Sequence, residues 1–411
     1  MRIFAFQGIR YADRNGPPGR FAAPPYDQID DALRDRLQTD PLSFAHLLRP
    51  VPSAGVDPFE HAASLHRRWL TDGTIARDPR PGLYPYEIRL ATGGRRLGLA
   101  TLVGIEEPSS GVIRPHERTV AKTVDERLRL LRAMQADIGP VLLLSEDRGS
   151  LDPLLSQDIE TLSPVAEHRD DAGNTHRTYH LTDSGGIARY RDLLAPCAGL
   201  IADGHHRYKV ASLYARESGA AAGTAAASKL AVITSLESPG LSIDPIHRAL
   251  ATAVGLDSPT PAVLDRAAWN GDGGAEFAAA VAAAGQPSIG VLAAGRPPEI
   301  WQLDPDTGPA ELPRAASDLS VVLLHHSVFP VCGLDGDAAV DGTIAYRSDP
   351  DVLWRSVSAG EMAAGFFLPP MSAQGFAAAI AGGDVLPPKS TRFLPKLVSG
   401  LVWATHDAEV A

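Results

Sequence analysis

Residues 200–214 read LIADGHHRYKVASLY, and this stretch decides the fold class of the chain. Its apolar start, LIA, predicts a short buried strand, and Gly204 permits the tight turn that follows. The residues after the turn have the apolar spacing of a helix, which we expect to begin near His205. The apolar run 230–236 predicts a second strand. A strand, a helix and a strand in this order predict an α/β protein with a mixed sheet and helices.

The turn between the predicted strand and helix carries residues that can bind a phosphate. The first N–H groups of a helix have no partner within it and lie at the positive end of its dipole, so they bind anions. Arg207 adds a guanidinium fork that can hold a phosphate through two hydrogen bonds. Asp203, at the strand end, can hold Mg²⁺ or accept a hydroxyl proton. The alternative is structural: Asp203 caps the helix, and His205 and His206 form local hydrogen bonds.

Two further clusters combine charged and hydroxyl side chains. The first lies in a loop before a helix expected to begin near Thr119. Side chains of such a loop lie at the surface, where they can contact a ligand. Its candidate residues are His116, Glu117, Arg118, Thr119 and Lys122. The charged residues after Thr119 also fit the solvated face of a helix. The second cluster is a basic strip between prolines, which can close over a polyphosphate or form a surface tail. Its candidate residues are Lys389, Ser390, Thr391 and Lys396.

Length and composition limit the domain organisation and the classes of function. The 411 residues exceed the ~250–300 at which one core stops growing, so we expect two parts, a core at 1–245 and a remainder at 246–411. The 38 basic and 49 acidic side chains leave a net charge of −11, which argues against binding nucleic acid or an anionic membrane. Two cysteines, and no apolar run of ~20 residues, favour a cytoplasmic protein without a membrane span.

Several catalytic motifs are absent from the sequence, and each absence excludes a class. Neither GxxxxGKS nor GxxxxGKT occurs, which excludes a P-loop, and no GxGxxG opens a strand-to-helix unit, so a dinucleotide-binding fold is unsupported. The absence of HExxH and of GxSxG excludes that zinc-hydrolase motif and the α/β-hydrolase nucleophile elbow.

Four segments of the chain resemble, in order, the motifs of one bacterial and archaeal family, domain of unknown function 1015. They are PPYDQI (24–29), HERTVAKTVDERLRLLRAMQADIGPVLLL (116–144), ADGHHRYKVA (202–211) and LPPKSTRFLPKLVSGLV (386–402). The family name carries no function. The DGHHR turn resembles the phosphate-binding corner of the ParB and sulfiredoxin superfamily, and especially that of its free-serine kinases, which phosphorylate the hydroxyl of L-serine. The resemblance implies a ParB/sulfiredoxin-like nucleotide-binding core with a large C-terminal elaboration.

The same resemblance implies roles for individual residues. Asp203 would position Mg²⁺ or the attacking hydroxyl, and Glu117 would be a second acid that serves as metal ligand or base. His205 joins them as a catalytic candidate, and Gly204, His206 and Arg207 would hold the phosphates. Further candidates for nucleotide contact are His116, Arg118, Thr119, Lys122, Lys389, Ser390, Thr391 and Lys396.

These expectations combine into a phosphotransferase. The predicted protein is a small-molecule kinase that moves a phosphate from ATP or ADP, with Mg²⁺, to the hydroxyl of free L-serine or a related small acid. CTP is also open as the donor, and no oligomeric state is predicted. Two alternatives stay open: a ParB-like regulatory protein that binds nucleotide without phosphotransfer, and a metal-dependent hydrolase that uses Asp203, His205 and His206.

Overall fold

The structure, a computed structural model, describes residues 1–52, 55–252, 255–256, 261–334, 343–383 and 385–411. It divides into two compact units: unit 1 comprises 1–241 and 395–411, and unit 2 comprises 242–394. The sequence placed the boundary at 245/246 and left the tail with the C-terminal part. The structure differs in the tail, because residues 395–411 belong to unit 1.

The strands and helices are numbered here in chain order. The strands of the described residues are β1 (Ile3–Phe4), β2 (Ile9–Tyr11), β3 (Ile75–Arg77), β4 (Tyr84–Arg89), β5 (Arg95–Gly104), β6 (Ile113–Arg114), β7 (Ala136–Asp137), β8 (Val141–Ser145), β9 (Pro164–Arg169), β10 (Thr175–Tyr179), β11 (Gly199–Asp203), β12 (Ser228–Ser235), β13 (Ser242–Asp244), β14 (His247–Leu250), β15 (Val263–Ala268), β16 (Ser288–Ala293), β17 (Glu299–Leu303), β18 (Ile344–Arg347), β19 (Ala364–Phe367), β20 (Arg392–Leu394) and β21 (Ala404–Thr405). The α-helices are α1 (Asp31–Leu37), α2 (Ala45–Leu48), α3 (Pro58–Thr71), α4 (Ala121–Met134), α5 (Leu151–Thr161), α6 (Ser184–Leu194), α7 (His205–Ser218), α8 (Gly274–Ala284), α9 (Arg314–Ser317), α10 (Ser320–Leu323), α11 (Pro350–Ser358) and α12 (Ala373–Ala379).

Unit 1 is built on a mixed sheet, which confirms the predicted α/β class. Within the described residues the sheet has nine strands in the order β6-β11-β8-β12-β5-β4-β10-β9, and β1 pairs with β5 beside this path. The pairs β8/β12 and β6/β11 are parallel, and the others are antiparallel. β11 and β12, joined by α7, both pair with β8, as expected of a strand, a helix and a strand in sequence.

One face of this sheet carries the main apolar core of unit 1. Alternate residues of a strand project to opposite faces. Leu97 and Leu99 of β5 and Ile233 of β12 therefore project to one side, where they pack in a single buried cluster with α5 and α6. Helix α7 packs against β8 and β12 and also against α4. The opposite face includes buried polar side chains, among them Arg96 of β5 and Thr234 of β12, which are described below.

Unit 2 is built on a smaller antiparallel sheet. Within its described residues the strand order is β15-β17-β16-β19-β14-β18. Phe277 and Val281 of α8 and Leu353 of α11 pack with Phe367 of β19 in its buried apolar cluster. β13 and β20 form a separate pair. Among the described residues of the whole chain, no helix is both long and apolar enough to cross a membrane.

Candidate functional site

The strand-to-helix turn at Gly204 has the predicted geometry. β11 ends at Asp203, Gly204 has a left-handed backbone with φ of +99°, and α7 begins at His205. A Cβ at position 204 would lie 2.8 Å from Val141 Cγ1, so both the backbone angle and the space require glycine. Because glycine has no side chain to cap the helix, Gly204 leaves the first turn of α7 without an N-cap hydrogen bond. The turn thus retains the anion-binding end of the helix dipole.

The Asp203 carboxylate lies between two cations. Arg207 Nη2 donates to its Oδ2, and Lys396 Nζ donates to its Oδ1. Burial raises the pKa of Asp203, but the charges of Arg207 and Lys396 outweigh it and bring the pKa below its usual value. About 16% of the Asp203 side chain is exposed, so a ligand can still reach it. The alternative in which Asp203 caps α7 does not describe this arrangement.

The two histidines after Gly204 hold the loop before α4. The His116 N–H donates to His205 Nε2 at 3.3 Å, and the Val120 N–H donates to His206 Nε2 at 2.9 Å. Both rings therefore bind the backbone of a distant segment, rather than forming the local hydrogen bonds of the structural alternative. They fix the backbone at 116–120 beside the turn.

Burial keeps His116 and His205 neutral. It lowers the pKa of His116 to about 4, and burial together with His116 lowers the pKa of His205 well below its usual value. A neutral ring that accepts at Nε2 carries its proton on Nδ1. In His205 this Nδ1 lies 3.9 Å from Glu117 Oε2, whereas His116 Nδ1 donates to the Ile201 carbonyl at 2.8 Å. His205 therefore presents an N–H toward Glu117 rather than a positive charge toward a phosphate.

The remaining loop candidates lie around this pair with different exposure. Glu117 and Thr119 are half-buried, and Arg118 is exposed. Lys122 is exposed in the first turn of α4, which begins at Ala121, two residues after Thr119 and close to the expected start. Val120, whose N–H donates to His206, has an extended backbone just before the helix.

The predicted basic strip is divided between the two units. Lys396 belongs to unit 1 and binds Asp203. Lys389, Ser390 and Thr391 belong to unit 2. They are therefore not part of the cluster that unit 1 forms around Asp203. Ser390 is buried, and its hydroxyl donates to the Pro387 carbonyl at 2.5 Å.

The residues predicted to hold Mg²⁺ do not fit a resident ion. Mg²⁺ is bound through one or two carboxylates, with substrate phosphates and water as its other ligands. Each oxygen of Asp203 already binds a cation. Across the described ranges, no group of three or more His, Cys, Asp and Glu side chains is arranged to hold a metal.

Tyr26 is a neighbour of the turn to which sequence reasoning assigned no role. Burial raises its pKa, and the charge of Arg207 is the largest influence that opposes the rise. The Arg127 guanidinium lies over the Tyr26 ring, 4.4 Å from its centroid. The segment PPYDQI was part of the resemblance, and its tyrosine directly after two prolines was the signal available in the sequence.

Comparison with known families gives one match. A family model described as "Protein of unknown function (DUF1015)" matches residues 3–267. This range includes α4, the Gly204 turn and β12. No curated protein matches the chain at a significant level.

Solved structures with some likeness to the chain have low identity. The conserved hypothetical protein Pfu-392566-001 from Pyrococcus furiosus is 14% identical, with a TM-score of 0.37, over 74% of this chain and 95% of that one. A free serine kinase in complex with AMP is 14% identical, with a TM-score of 0.38, over 74% and 92%. SbnI with a C-terminal truncation, from Staphylococcus aureus, is 12% identical, with a TM-score of 0.38, over 73% and 85%. Likeness at this level carries no conclusion about activity.

Proposed function

The chain belongs to the DUF1015 family of proteins of unknown function, and from that premise we propose that it is a small-molecule kinase. It transfers the terminal phosphoryl group of a nucleotide to the hydroxyl of free L-serine or of a related small acid. ATP, ADP and CTP are the candidate donors.

The observation that carries the proposal is the position of Asp203. This carboxylate lies at the start of a helix whose first turn can bind phosphate, between Arg207 and Lys396, and is partly exposed. Phosphoryl transfer requires charge neutralisation around the phosphate and a carboxylate that orients the attacking hydroxyl. Both requirements meet at this one turn.

The proposed step uses the residues of the turn as follows. The phosphates of the Mg²⁺-bound nucleotide lie against the first N–H groups of α7, and Arg207 and Lys396 balance their charge. The substrate oxygen forms a bond to the terminal phosphorus while the bond from phosphorus to the bridging oxygen breaks. The nucleotide leaves with one phosphate fewer, and the hydroxyl proton passes to Asp203 or Glu117. His205 and His116 are positioning residues, because they hold the loop that carries Glu117.

The hydrolase alternative has less support. It needs His205 and His206 as metal ligands through an unprotonated ring nitrogen, but the Nε2 atom of each ring accepts a backbone N–H. The regulatory alternative, binding without transfer, is an outcome of the following test.

The test is phosphorus NMR of the protein with Mg²⁺, L-serine and, in separate samples, ATP, ADP or CTP. We expect a new phosphomonoester signal with at least one donor. Asp203→Asn should reduce its rate of appearance by about a hundredfold or more with unchanged circular dichroism. Asp171→Asn, at a side chain that is 96% exposed, is the matched control and should turn over normally.

Two outcomes would contradict the proposal. If the phosphorus spectra stay unchanged with all three donors and calorimetry nevertheless shows that the protein binds a nucleotide, the regulatory alternative is favoured. Normal turnover in Asp203→Asn would remove Asp203 from the mechanism.

A further inference from the structure

Arg96 is a buried cation whose terminal nitrogens have no hydrogen-bond partner. It lies on β5, is 1% exposed, and neither Nη1 nor Nη2 bonds to any other described residue. Burial lowers its pKa to about 10. An unpaired buried guanidinium is costly, because its lost hydration is not replaced. Such a group is suited to bind an anionic ligand, which would supply the hydrogen bonds that the protein does not.

Thr178 shares a face of the sheet with Arg96. Residues paired across two strands project to the same side, as do alternate residues of one strand. Arg96 pairs with Ile88 on β4, and two residues along β4, Tyr86 pairs with Thr178 on β10. Thr178 is completely buried, and its hydroxyl also has no partner among the described residues.

The same face continues across the sheet to Asp203. Val232 of β12 pairs with Ala100 of β5 and with Leu142 of β8. Leu142 in turn pairs with Asp203 at the end of β11. Thr234 lies two residues beyond Val232 and so projects to this face as well. It is the second completely buried threonine here whose hydroxyl has no described partner.

The C-terminal tail of unit 1 connects the two ends of this face. Lys396 binds Asp203, and the Val398 N–H donates to the Tyr86 hydroxyl at 3.5 Å. Residues 396 and 398 can be at most about 7 Å apart at their Cα atoms. The charge of Asp203 also acts on Arg96, raising its pKa against the effect of burial. Arg96 therefore lies within reach of a small molecule that contacts Asp203.

We propose that Arg96, with Thr234, binds the carboxylate of the acceptor whose hydroxyl lies at Asp203, a role that rests on the proposed function. The guanidinium fork matches a planar carboxylate, and the Thr234 hydroxyl supplies a further donor. Thr178 lies three strand spacings from Thr234, about 14 Å, and so is not part of this site. The nucleotide phosphates have their own cations, Arg207 and Lys396, at the α7 end of the face. The acceptor class is therefore a short hydroxy acid with its carboxylate a few bonds from the hydroxyl.

The test is calorimetric binding of L-serine and of D-glycerate, each with and without nucleotide, and of L-serinamide, which lacks the carboxylate. We expect wild type to bind at least one of the two acids and to bind serinamide at least tenfold more weakly than L-serine. Arg96→Met should weaken binding of the acid about tenfold to a hundredfold, because a hydrogen bond to a charged group is lost. Thr234→Val, which keeps the shape of the side chain, should weaken it severalfold.

Arg95→Met is the matched control. Arg95 is the neighbouring residue on the opposite face of β5, where it binds Glu87 and Ser156. Its substitution should leave the dissociation constant within about twofold of wild type. An equal loss in Arg95→Met would mean that any damage to β5 weakens binding, and it would overturn the assignment.

The failures of the two proposals are distinguishable. If neither acid binds, if serinamide binds as tightly as L-serine, or if Arg96→Met binds like wild type, the carboxylate site is overturned. If binding depends on Arg96 but no donor yields a phosphomonoester, the site stands and the kinase proposal fails.

Discussion

Two arginines, one in each unit, are almost completely buried but differ in what surrounds them. Arg248 in unit 2 is 0% exposed and donates to the carbonyls of Ile246 and Pro388 and to the ring of His325. Arg96 in unit 1 is 1% exposed, and its two terminal nitrogens have no partner among the described residues. Both lie on central strands of a sheet.

The difference separates a structural group from a binding group. A buried charge is tolerated when each of its N–H groups is paired, as in the sheet of unit 2. On the sheet of unit 1, Arg96 shares a face with two buried threonine hydroxyls that have no described partner and with Asp203. Unsatisfied donors collected on one face indicate a site whose ligand completes the hydrogen bonds.

The largest expected effect is the contrast in stability between Arg248→Met and Arg96→Met. Arg248→Met removes the hydrogen bonds of a completely buried guanidinium to the Ile246 and Pro388 carbonyls and to His325, and it should lower the free energy of unfolding of unit 2 by about 3–5 kcal/mol. Arg96→Met removes an unpaired charge and should leave the stability of unit 1 unchanged or raise it. Urea denaturation followed by hydrogen exchange of peptides from each unit measures both.

The control for this contrast is the measurement with ligand. L-serine at saturation should stabilise wild type but not Arg96→Met, since only the protein that binds it gains stability. A loss of about 3 kcal/mol or more in ligand-free Arg96→Met would show that Arg96 is structural, like Arg248.

The next largest effect is the loss of stability of unit 2 at low pH. We expect it to arise in part from His247, the residue before Arg248. Burial, and then the charge of Arg248, lowers the pKa of His247 to about 4. The unfolded state then binds more protons than the folded state between about pH 6.5 and 4, so stability falls as pH falls through this window. The shift corresponds to about 3 kcal/mol. It is measured as the free energy of unfolding of unit 2 at pH 7 and pH 4.

His247→Gln provides the control for the pH effect. His247 Nδ1 accepts the Leu368 N–H at 3.1 Å, and glutamine can offer an oxygen in its place without titrating. The variant should lose about half of this pH dependence, because burial also lowers the pKa of His325 in unit 2, to about 3. An unchanged pH dependence would assign it to other groups.

The elements that local sequence patterns specify were predicted well. The strand that ends at Asp203, the Gly204 turn and the helix that begins at His205 all occur as predicted, because a glycine and the spacing of apolar residues act over a few positions. The family identified from four short segments is likewise confirmed.

What sequence patterns could not supply were contacts between distant segments. Lys396 was predicted as part of a basic strip, but only the fold returns it to Asp203. Arg96 was not predicted at all, because in the sequence it is one of two adjacent arginines. The register of several strands decides that Arg95 binds Glu87 while Arg96 projects to the face that reaches Asp203. The roles of Glu117, His205 and His206 stay predictions.

The smallest expected effect is a difference of about 1 kcal/mol in the free energy of unfolding between variants of two buried threonines in the same sheet. Thr101 Oγ1 donates to the Phe4 carbonyl at 2.8 Å, whereas the Thr178 hydroxyl has no described partner. Thr101→Val should therefore lower the free energy of unfolding by about 1 kcal/mol, and Thr178→Val should leave it unchanged or raise it. With L-serine at saturation, wild type and Thr178→Val should gain the same stability, because Thr178 lies three strand spacings from Thr234 and outside the proposed carboxylate site. Equal losses in the two ligand-free variants would mean that the Thr178 hydroxyl is already paired, and the comparison would then rest on Arg96 alone.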